Sequence, residues 1–231
     1  MTEICLIPGH ACLRGDNPLN EDDWILEPFQ RDGGHHLRCF EAHIRVGVAW
    51  LQSNPDGRLV FSGGFTRQGT VRSEAESYLL AAQKYGLMSD RSLRSRIVLE
   101  EFARDSYENV LFGISAAYAA ARFRITRVVA VGFEFKRPRF LDHFSSLQLG
   151  PGTTYEYFGI NNPIEPQLTS ALAGETATRR AFTTKSPDGR ESLRAKRAAR
   201  TFGQRHVPYP DMCREWPALH ARLVEWTTEN P

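Results

Sequence analysis

The side chains best suited to catalysis or ligand binding in this sequence belong to three glutamates and two basic residues. Glu74, Glu100 and Glu108 lie in segments that follow short apolar runs. Carboxylates in such places can act as a general base, hold a cation or bind ribose-like hydroxyls. Lys136 and Arg139 follow another apolar run, beside a predicted helix N-terminus, and this arrangement favours an anion. Acids that face cations across a pocket predict a hydrolytic or group-transfer reaction.

Small and polar residues occupy the other positions after the same apolar runs. They are Gly9, His10, Ser62, Gly63, Gly64, Ser73, Ser106 and Asn109. The glycines allow close approach of the backbone and can offer amide donors to an anionic or carbonyl group. The histidine can carry a proton. We expect this set to bind the ligand together with Lys136 and Arg139, the three glutamates to be the catalytic candidates, and no residue to serve as a metal ligand.

Each feature also has a structural explanation that the sequence leaves open. Ser-Gly-Gly is a common turn after a strand, Glu74 can favour the dipole of the helix that it opens, and Glu108 with Asn109 can cap a helix. The glycine turn lacks the GK[ST] of a P-loop and the GxGxxG of a dinucleotide fold. The sequence has neither a GxSxG elbow nor a catalytic cysteine motif. His35 and His36 are expected at the surface.

Four short apolar runs must position these side chains. They are residues 4–7, 58–61, 96–99 and 127–131, which are rich in β-branched residues and leucine. Runs of this kind are typical of strands that are covered on both faces. Helical patterns follow them, and repeated strand–helix units form a mainly parallel sheet. The sequence therefore predicts an α/β fold with its ligand pocket at the carboxyl ends of the strands.

Helix caps and apolar spacing predict the remaining elements. They are a helix over 35–51, a helix capped by Ser73, a third opened by Asp105 or Ser106, a fourth beginning near Pro138, a strand over 153–160 and an amphipathic helix over 216–226.

The sequence pattern of the chain changes after Pro151. We expect residues 1–160 to form the core and residues 161–231 a C-terminal extension of the same domain. Within the extension, residues 169–205 are polar, basic and weakly periodic, and are expected to form a surface excursion. Its basic residues include Arg190, Arg194, Lys196, Arg197 and Arg200. They predict either a solvated helical face or a docking patch for an acidic ligand or partner.

Length, charge and cysteine spacing narrow the function classes. The 231 residues, 41% hydrophobic and 24% charged, suit one α/β domain with a sizeable core. A net charge of +2 argues against binding nucleic acid over the whole surface. The four cysteines lack disulfide or zinc spacing, which predicts reduced thiols. The N-terminal apolar run is too short for a signal peptide or membrane anchor, so we expect a cytoplasmic protein without an anchor.

Five motifs in order resemble the ElyC/SanA/YdcF superfamily, a domain family of unknown function. They are Ile7-Pro8-Gly9-His10, Ser62-Gly63-Gly64, Ser73-Glu74-Ala75, Glu100 followed by Asp105-Ser106-Tyr107-Glu108-Asn109, and Phe135-Lys136-Arg137-Pro138-Arg139. The tail motifs Lys196-Arg197, Phe202-Gly203 and Pro208-Tyr209-Pro210 look similar to soluble fungal-type members. The resemblance implies a Rossmann-like, three-layer α/β/α fold with the motif residues around its pocket.

The last motif departs from the family pattern. Lys136 stands where bacterial relatives usually have histidine, so the role of that histidine in proton transfer is not carried over. Lysine keeps a positive donor but does not titrate near neutrality unless burial lowers its pKa. The substitution therefore favours anion binding at this position. The resemblance leaves open a nucleotide-like ligand such as S-adenosylmethionine, and a divalent metal also stays open.

Three functions are compatible with these residues. The first is an enzyme that acts on a small anionic metabolite, phosphorylated or nucleotide-like. The second is a non-catalytic protein that senses or carries a nucleotide-like ligand. The third is an interaction protein that uses the basic segment 179–205.

Overall fold

The computed structural model describes residues 2–183, 187–202 and 206–229. The strands are β1 (Thr2–Pro8), β2 (Cys12–Leu13), β3 (Trp24–Ile25), β4 (Arg58–Ser62), β5 (Ile97–Glu100), β6 (Ile125–Phe133) and β7 (Thr154–Asn161). The helices are α1 (His35–Ser53), α2 (Glu74–Lys84), α3 (Arg91–Arg94), α4 (Ser106–Ala121), α5 (Arg137–Leu147), α6 (Gln167–Thr183), α7 (Pro187–Ala198), α8 (Tyr209–Met212) and α9 (Pro217–Glu229).

One sheet contains five of the strands in the order β5-β4-β1-β6-β7. Every neighbouring pair in this sheet is parallel, and β2 and β3 form a separate antiparallel pair. The strand order reverses at β1, because β4 and β5 extend to one side of it and β6 and β7 to the other. This is the arrangement of Rossmann-like folds, which bind ligands in the crevice at the reversal. The predicted α/β fold with a parallel sheet is confirmed.

Alternating side chains along β1 cover both faces of the sheet. Ile4 and Leu6 pack in one cluster with residues of α4, α5 and α9. Cys5 and Ile7 pack in a second cluster with α1 and α2. All four are fully buried, which is why β1 is an uninterrupted apolar run instead of an alternating one. Helices on both faces complete the three-layer α/β/α fold.

Short polar side chains fix the starts of the helices next to the strand ends. The hydroxyl of Ser73 accepts the Glu76 amide at 2.9 Å and caps α2. Asp105 accepts the amides of Tyr107 and Glu108 at 3.0 and 2.9 Å and caps α4. These side chains replace the partners that the first amides of a helix lack. Both predicted caps are confirmed.

The C-terminal extension differs from the expected surface excursion. The segment expected to form that excursion includes most of α6 and all of α7, and Arg197 of α7 is 4% exposed. The basic segment 179–205 therefore packs in part against the core, which its weak periodicity does not indicate. Positions 184–186 and 203–205, Gly203 of the tail motif among them, lie outside the described residues.

Two further findings concern membrane crossing and cysteines. Within the three described ranges, no helix combines the length and the apolar character needed to cross a bilayer. All four cysteines are free and buried.

Candidate functional site

A cavity of about 450 Å³ lies at the carboxyl ends of the parallel strands. Gly9 and His10, which follow β1, form one part of its wall, and Lys136, which follows β6, forms another. β1 and β6 are the neighbours at which the strand order reverses. Glu175 of α6 and Lys196 of α7 line the cavity from the extension. Its size is that of a small-molecule site, and its position is the one predicted for the ligand pocket.

The thirteen predicted site residues separate into two groups. Those that line the cavity are Gly9, His10, Glu74, Ser106, Asn109, Lys136 and Arg139. Those that do not line it are Ser62, Gly63, Gly64, Ser73, Glu100 and Glu108. The contacts of the second group explain why they lie behind the wall.

The predicted glycines do not present free amides. The amides of Gly9, Gly63 and Gly64 donate to the carbonyls of Ser62, Glu100 and Ala103 at 2.7, 2.9 and 2.7 Å, respectively. The expectation that these glycines donate amides to a ligand is therefore wrong, because the neighbouring strand ends and loops already use those donors. Gly63 instead makes room for Glu74, since a Cβ at Gly63 would lie 2.5 Å from Glu74 Oε2.

Glu100 is fully buried and is held by protein groups. The Ser62 hydroxyl lies 2.5 Å from its Oε2, and the amides of Phe102 and Ala103 donate to its Oε1 at 2.7 and 3.1 Å. Burial raises the pKa of Glu100 to about 8, so the carboxyl is largely protonated at neutral pH. Ser62 also lies 2.9 Å from Asn109 Oδ1. These contacts favour a structural role that joins β4, β5 and α4.

Glu108 is also fully buried, and its partners are cationic or are hydrogen-bond donors. Arg104 donates to both of its carboxylate oxygens, at 2.6 and 3.1 Å, and Trp226 Nε1 donates at 3.2 Å. Burial and the charge of Asp105 raise the pKa of Glu108 despite the contact with Arg104. The Glu108 side chain therefore connects the start of α4 to the loop before it and to α9. It does not line the cavity.

Glu74 is the predicted acid that lines the cavity. It is 5% exposed and opens α2 directly after its cap, Ser73. The Thr66 hydroxyl donates to Oε1 of Glu74, and the Ser73 hydroxyl donates to Glu101 at 2.9 Å. Ser73 therefore fixes the position of the acid without itself reaching the cavity.

Three cations converge on the cavity from two distant parts of the chain. They are Lys136, after β6, Lys196, near the end of α7, and Arg200, just beyond α7. Arg200 donates to the carbonyl of Arg104 at 3.1 Å. In the part of the chain that the structure describes, none of the three forms an ion pair with a carboxylate.

Burial and like charge lower the pKa values of these cations. The pKa of Lys136 falls to about 7, chiefly through burial and next through the charge of Arg139. Burial lowers the pKa of Lys196 to about 8, and Arg200 and Arg139 add to the effect. The pKa of Arg200 is also lowered, again mainly by burial. A bound anion would supply the missing negative charge and reverse these shifts.

Arg139 lines the same wall but has a carboxylate partner. It donates to both oxygens of Glu175 at 2.8 and 2.7 Å. It also donates to the hydroxyl of Ser106 at 3.0 Å, and that hydroxyl lies 2.9 Å from His143 Nε2. The contact joins α5 to α6 across the cavity, so Arg139 both lines the site and anchors the extension.

His10 lies deep in the wall among aromatic rings. Its ring centroid is 5.1 Å from that of Phe133 and 5.6 Å from that of Phe40. Burial, with the charge of Lys136, holds its pKa well below the ordinary value. Lys136 Nζ lies 3.4 Å from Nδ1 of the neutral ring. His10 therefore acts here as an acceptor that positions Lys136.

Sequence reasoning missed several lining residues. His36 was expected at the surface, and this is wrong: it is 2% exposed and lines the cavity. Arg67 also lines it, with Glu27 at 3.5 Å. Lys196 and Arg200 were assigned to a solvated face or docking patch, whereas both face the cavity. The one sequence signal that could have indicated the buried position of His36 is Asp32, an aspartate four residues before it.

The basic segment has an outer face as well. Arg190 and Arg194 of α7 are exposed, whereas Arg197 is buried with Asp105 at 2.6 Å. A docking patch on this helix would therefore depend on the two exposed arginines.

Across residues 2–183, 187–202 and 206–229, no group of three or more histidine, cysteine, aspartate or glutamate side chains is placed to hold a metal ion.

The strand order and the cavity at its reversal define a Rossmann-like three-layer α/β protein with a cavity lined in part by basic residues. No protein-family model matches the chain, and no solved structure matches it significantly. An uncharacterized protein of Saccharomyces cerevisiae, YOR238W, is 24% identical over 204 residues, which cover 69% of this chain and 67% of the yeast protein. Its name states no activity, so the comparison supplies a relative and no substrate.

Proposed function

We propose that the chain binds a small anionic metabolite, phosphorylated or nucleotide-like, in this cavity and acts on it as a hydrolase or group-transfer enzyme. The convergence of Lys136, Lys196 and Arg200, which have no carboxylate partner among the described residues, carries the proposal. Neighbouring cations are costly to bury together, and an anion between them removes that cost. The proposal includes membership of the ElyC/SanA/YdcF superfamily, since four of its five motifs supply residues of the cavity wall.

The three cations would contact the anion in different ways. Lys136 and Lys196 are compact charges on flexible chains, whereas Arg200 can form two parallel hydrogen bonds to a phosphate. Glu74 is the acid–base candidate, because of the three predicted glutamates it alone lines the cavity. A phosphate held by the cations would face this carboxylate across the pocket.

A thermal-shift screen of nucleotides, sugar phosphates, S-adenosylmethionine and divalent cations tests the proposal. A ligand that binds only the folded state raises the melting temperature with its saturation. We expect a phosphorylated hit, and Lys136→Ala, Lys196→Ala or Arg200→Ala should each weaken it at least about tenfold, as loss of one charge-assisted hydrogen bond does. Lys84→Ala is the matched control, because Lys84 is exposed at the end of α2. An anionic hit that survives all three cavity substitutions unchanged would contradict the proposal.

One observation favours a non-catalytic carrier instead. Glu100 and Glu108 are occupied by protein partners, which leaves Glu74 as the single predicted glutamate at the cavity. Glu74→Gln separates the two functions, because the change keeps the size of the side chain and removes its charge. An enzyme should keep affinity and lose turnover, whereas a carrier has no turnover to lose.

A further inference from the structure

His36 and Asp32 form a hydrogen-bonded pair at the cavity wall. Nδ1 of His36 lies 2.6 Å from Oδ2 of Asp32, and the side chains are 2% and 1% exposed. The second carboxylate oxygen, Oδ1, accepts the backbone amide of His36 at 3.0 Å. The carboxylate thus fixes the ring in position and favours the tautomer with its proton on Nδ1.

The other ring nitrogen of His36 opens onto the cavity. Within the described ranges, Nε2 has no hydrogen-bond partner, and it is not among the fully buried nitrogen and oxygen atoms that lack one, so it keeps some contact with open space. His36 is a lining residue of the cavity. In the Nδ1-protonated tautomer, Nε2 carries a lone pair, so a proton acceptor faces the cavity.

The surroundings of His36 bring it close to the proposed anion site. Its ring centroid is 5.8 Å from that of Phe133, and Lys136 Nζ lies 5.1 Å from the centroid of the same ring. The charged and titratable neighbours of His36 are Asp32, His35, Lys136 and His10. Burial lowers the pKa of His36 and outweighs the hydrogen bond to Asp32. The ring is therefore neutral at physiological pH and ready to accept a proton.

Capping of α1 explains only part of this geometry. A cap needs one carboxylate oxygen for the backbone amide, and Oδ1 of Asp32 meets that need. It does not require the second oxygen to hold an imidazole at 2.6 Å. Nor does it require a nearly buried imidazole that lines a cavity and whose second nitrogen has no partner among the described residues. The pair has the arrangement of a base and its orienting carboxylate in hydrolytic enzymes.

We propose that His36, oriented by Asp32, is the general base of a phosphate-ester hydrolysis in this cavity, an inference that rests on the anion site proposed above. Nε2 takes a proton from a water molecule as the water oxygen bonds to phosphorus. On the opposite side of phosphorus the bond to the ester oxygen breaks and its electron pair stays on that oxygen, which takes a proton through Glu74, while the imidazolium releases its proton to solvent. The products are an alcohol and inorganic phosphate. His36 is the catalytic residue, and Asp32 is a positioning residue.

The test compares His36→Gln and Asp32→Asn with His35→Gln in the full chain. His35 is adjacent in the same helix but does not line the cavity, so it is the matched control. Turnover is followed as p-nitrophenol release from p-nitrophenyl phosphate and as phosphate release from a panel of nucleotides and sugar phosphates. Binding is followed separately with inorganic sulfate, which cannot be hydrolysed.

We expect His36→Gln to lower kcat about 100-fold or more, the usual contribution of a general base, while the Kd for sulfate changes less than about twofold. Asp32→Asn should lower kcat by a smaller factor, and imidazole should partly restore turnover to His36→Ala. A purely structural role predicts no such rescue. Unchanged kcat in His36→Gln, or sulfate binding without any phosphate release by the natural chain, overturns this inference and leaves the anion site standing. Absence of sulfate binding overturns the anion site itself.

Discussion

The pH dependence of anion affinity follows directly from the two lysines of the cavity. The pKa of Lys136 is about 7 and that of Lys196 about 8, both lowered by burial first and by neighbouring cations second. Both are protonated at pH 6. At pH 8 about a tenth of Lys136 and about half of Lys196 remain protonated. An anion binds best when both carry their charge, so affinity must fall as pH rises through this window.

The size of the effect can be calculated from the two pKa values. If binding requires both lysines to be protonated, sulfate should bind about 20-fold more weakly at pH 8 than at pH 6. At pH 8, binding should take up about 1.4 protons, since the anion restores the ordinary pKa of each lysine. Sulfate carries no proton in this range. His10 and His36 are neutral over most of it, because their pKa values lie below the ordinary value.

Isothermal titration calorimetry at constant ionic strength, in two buffers with different ionisation enthalpies, measures both quantities. Lys136→Met is the informative variant: with Lys196 alone titrating, the loss of affinity between pH 6 and pH 8 should shrink to about twofold. An affinity for sulfate that is flat over this range would refute the reasoning. An equally steep loss in Lys136→Met would also refute it, because another group would then be titrating.

Two further predictions concern stability and are measured by urea unfolding. Gly63→Ala should lower the free energy of unfolding by about 1–3 kcal/mol, because the new Cβ meets a packed carboxylate at φ +151°. Gly174→Ala is its control and should cause no loss, since nothing lies within 4 Å of that position and alanine in the interior of α6 stabilises the helix by up to about 1 kcal/mol; equal losses would contradict the packing argument. Arg197→Met should cost about 3–5 kcal/mol by leaving its buried aspartate partner unpaired. Arg179→Met, which breaks the exposed pair of α6 with α5, should change stability little. A similar cost for both arginines would show that burial does not set the strength of these pairs.

The fold was predictable because its signals are local. An uninterrupted apolar run such as residues 4–7 indicates a strand covered on both faces, and caps such as Ser73 and Asp105 mark where helices begin. The order of these elements then places the loops after the strands at one edge of the sheet. Gly9, Glu74 and Lys136 could therefore be assigned to one rim without knowledge of any contact.

The partners of the charged residues were not predictable. Glu108 has the sequence position of a catalytic acid but lies between Arg104 and Trp226, whereas Lys196, in a weakly periodic segment, faces the cavity. His36 likewise lies at the wall instead of the surface.

The amino-acid sequence by itself determined the strands, the helix starts and the edge of the sheet at which the site lies. Only the tertiary structure decided which acids and cations are paired and which face an open cavity. The physical reason is that backbone conformation depends on neighbours along the chain, whereas charge pairing depends on distances between segments far apart in sequence. The charge of Lys196 lowers the pKa of Lys136 only because the fold brings α7 to the cavity that Lys136 lines.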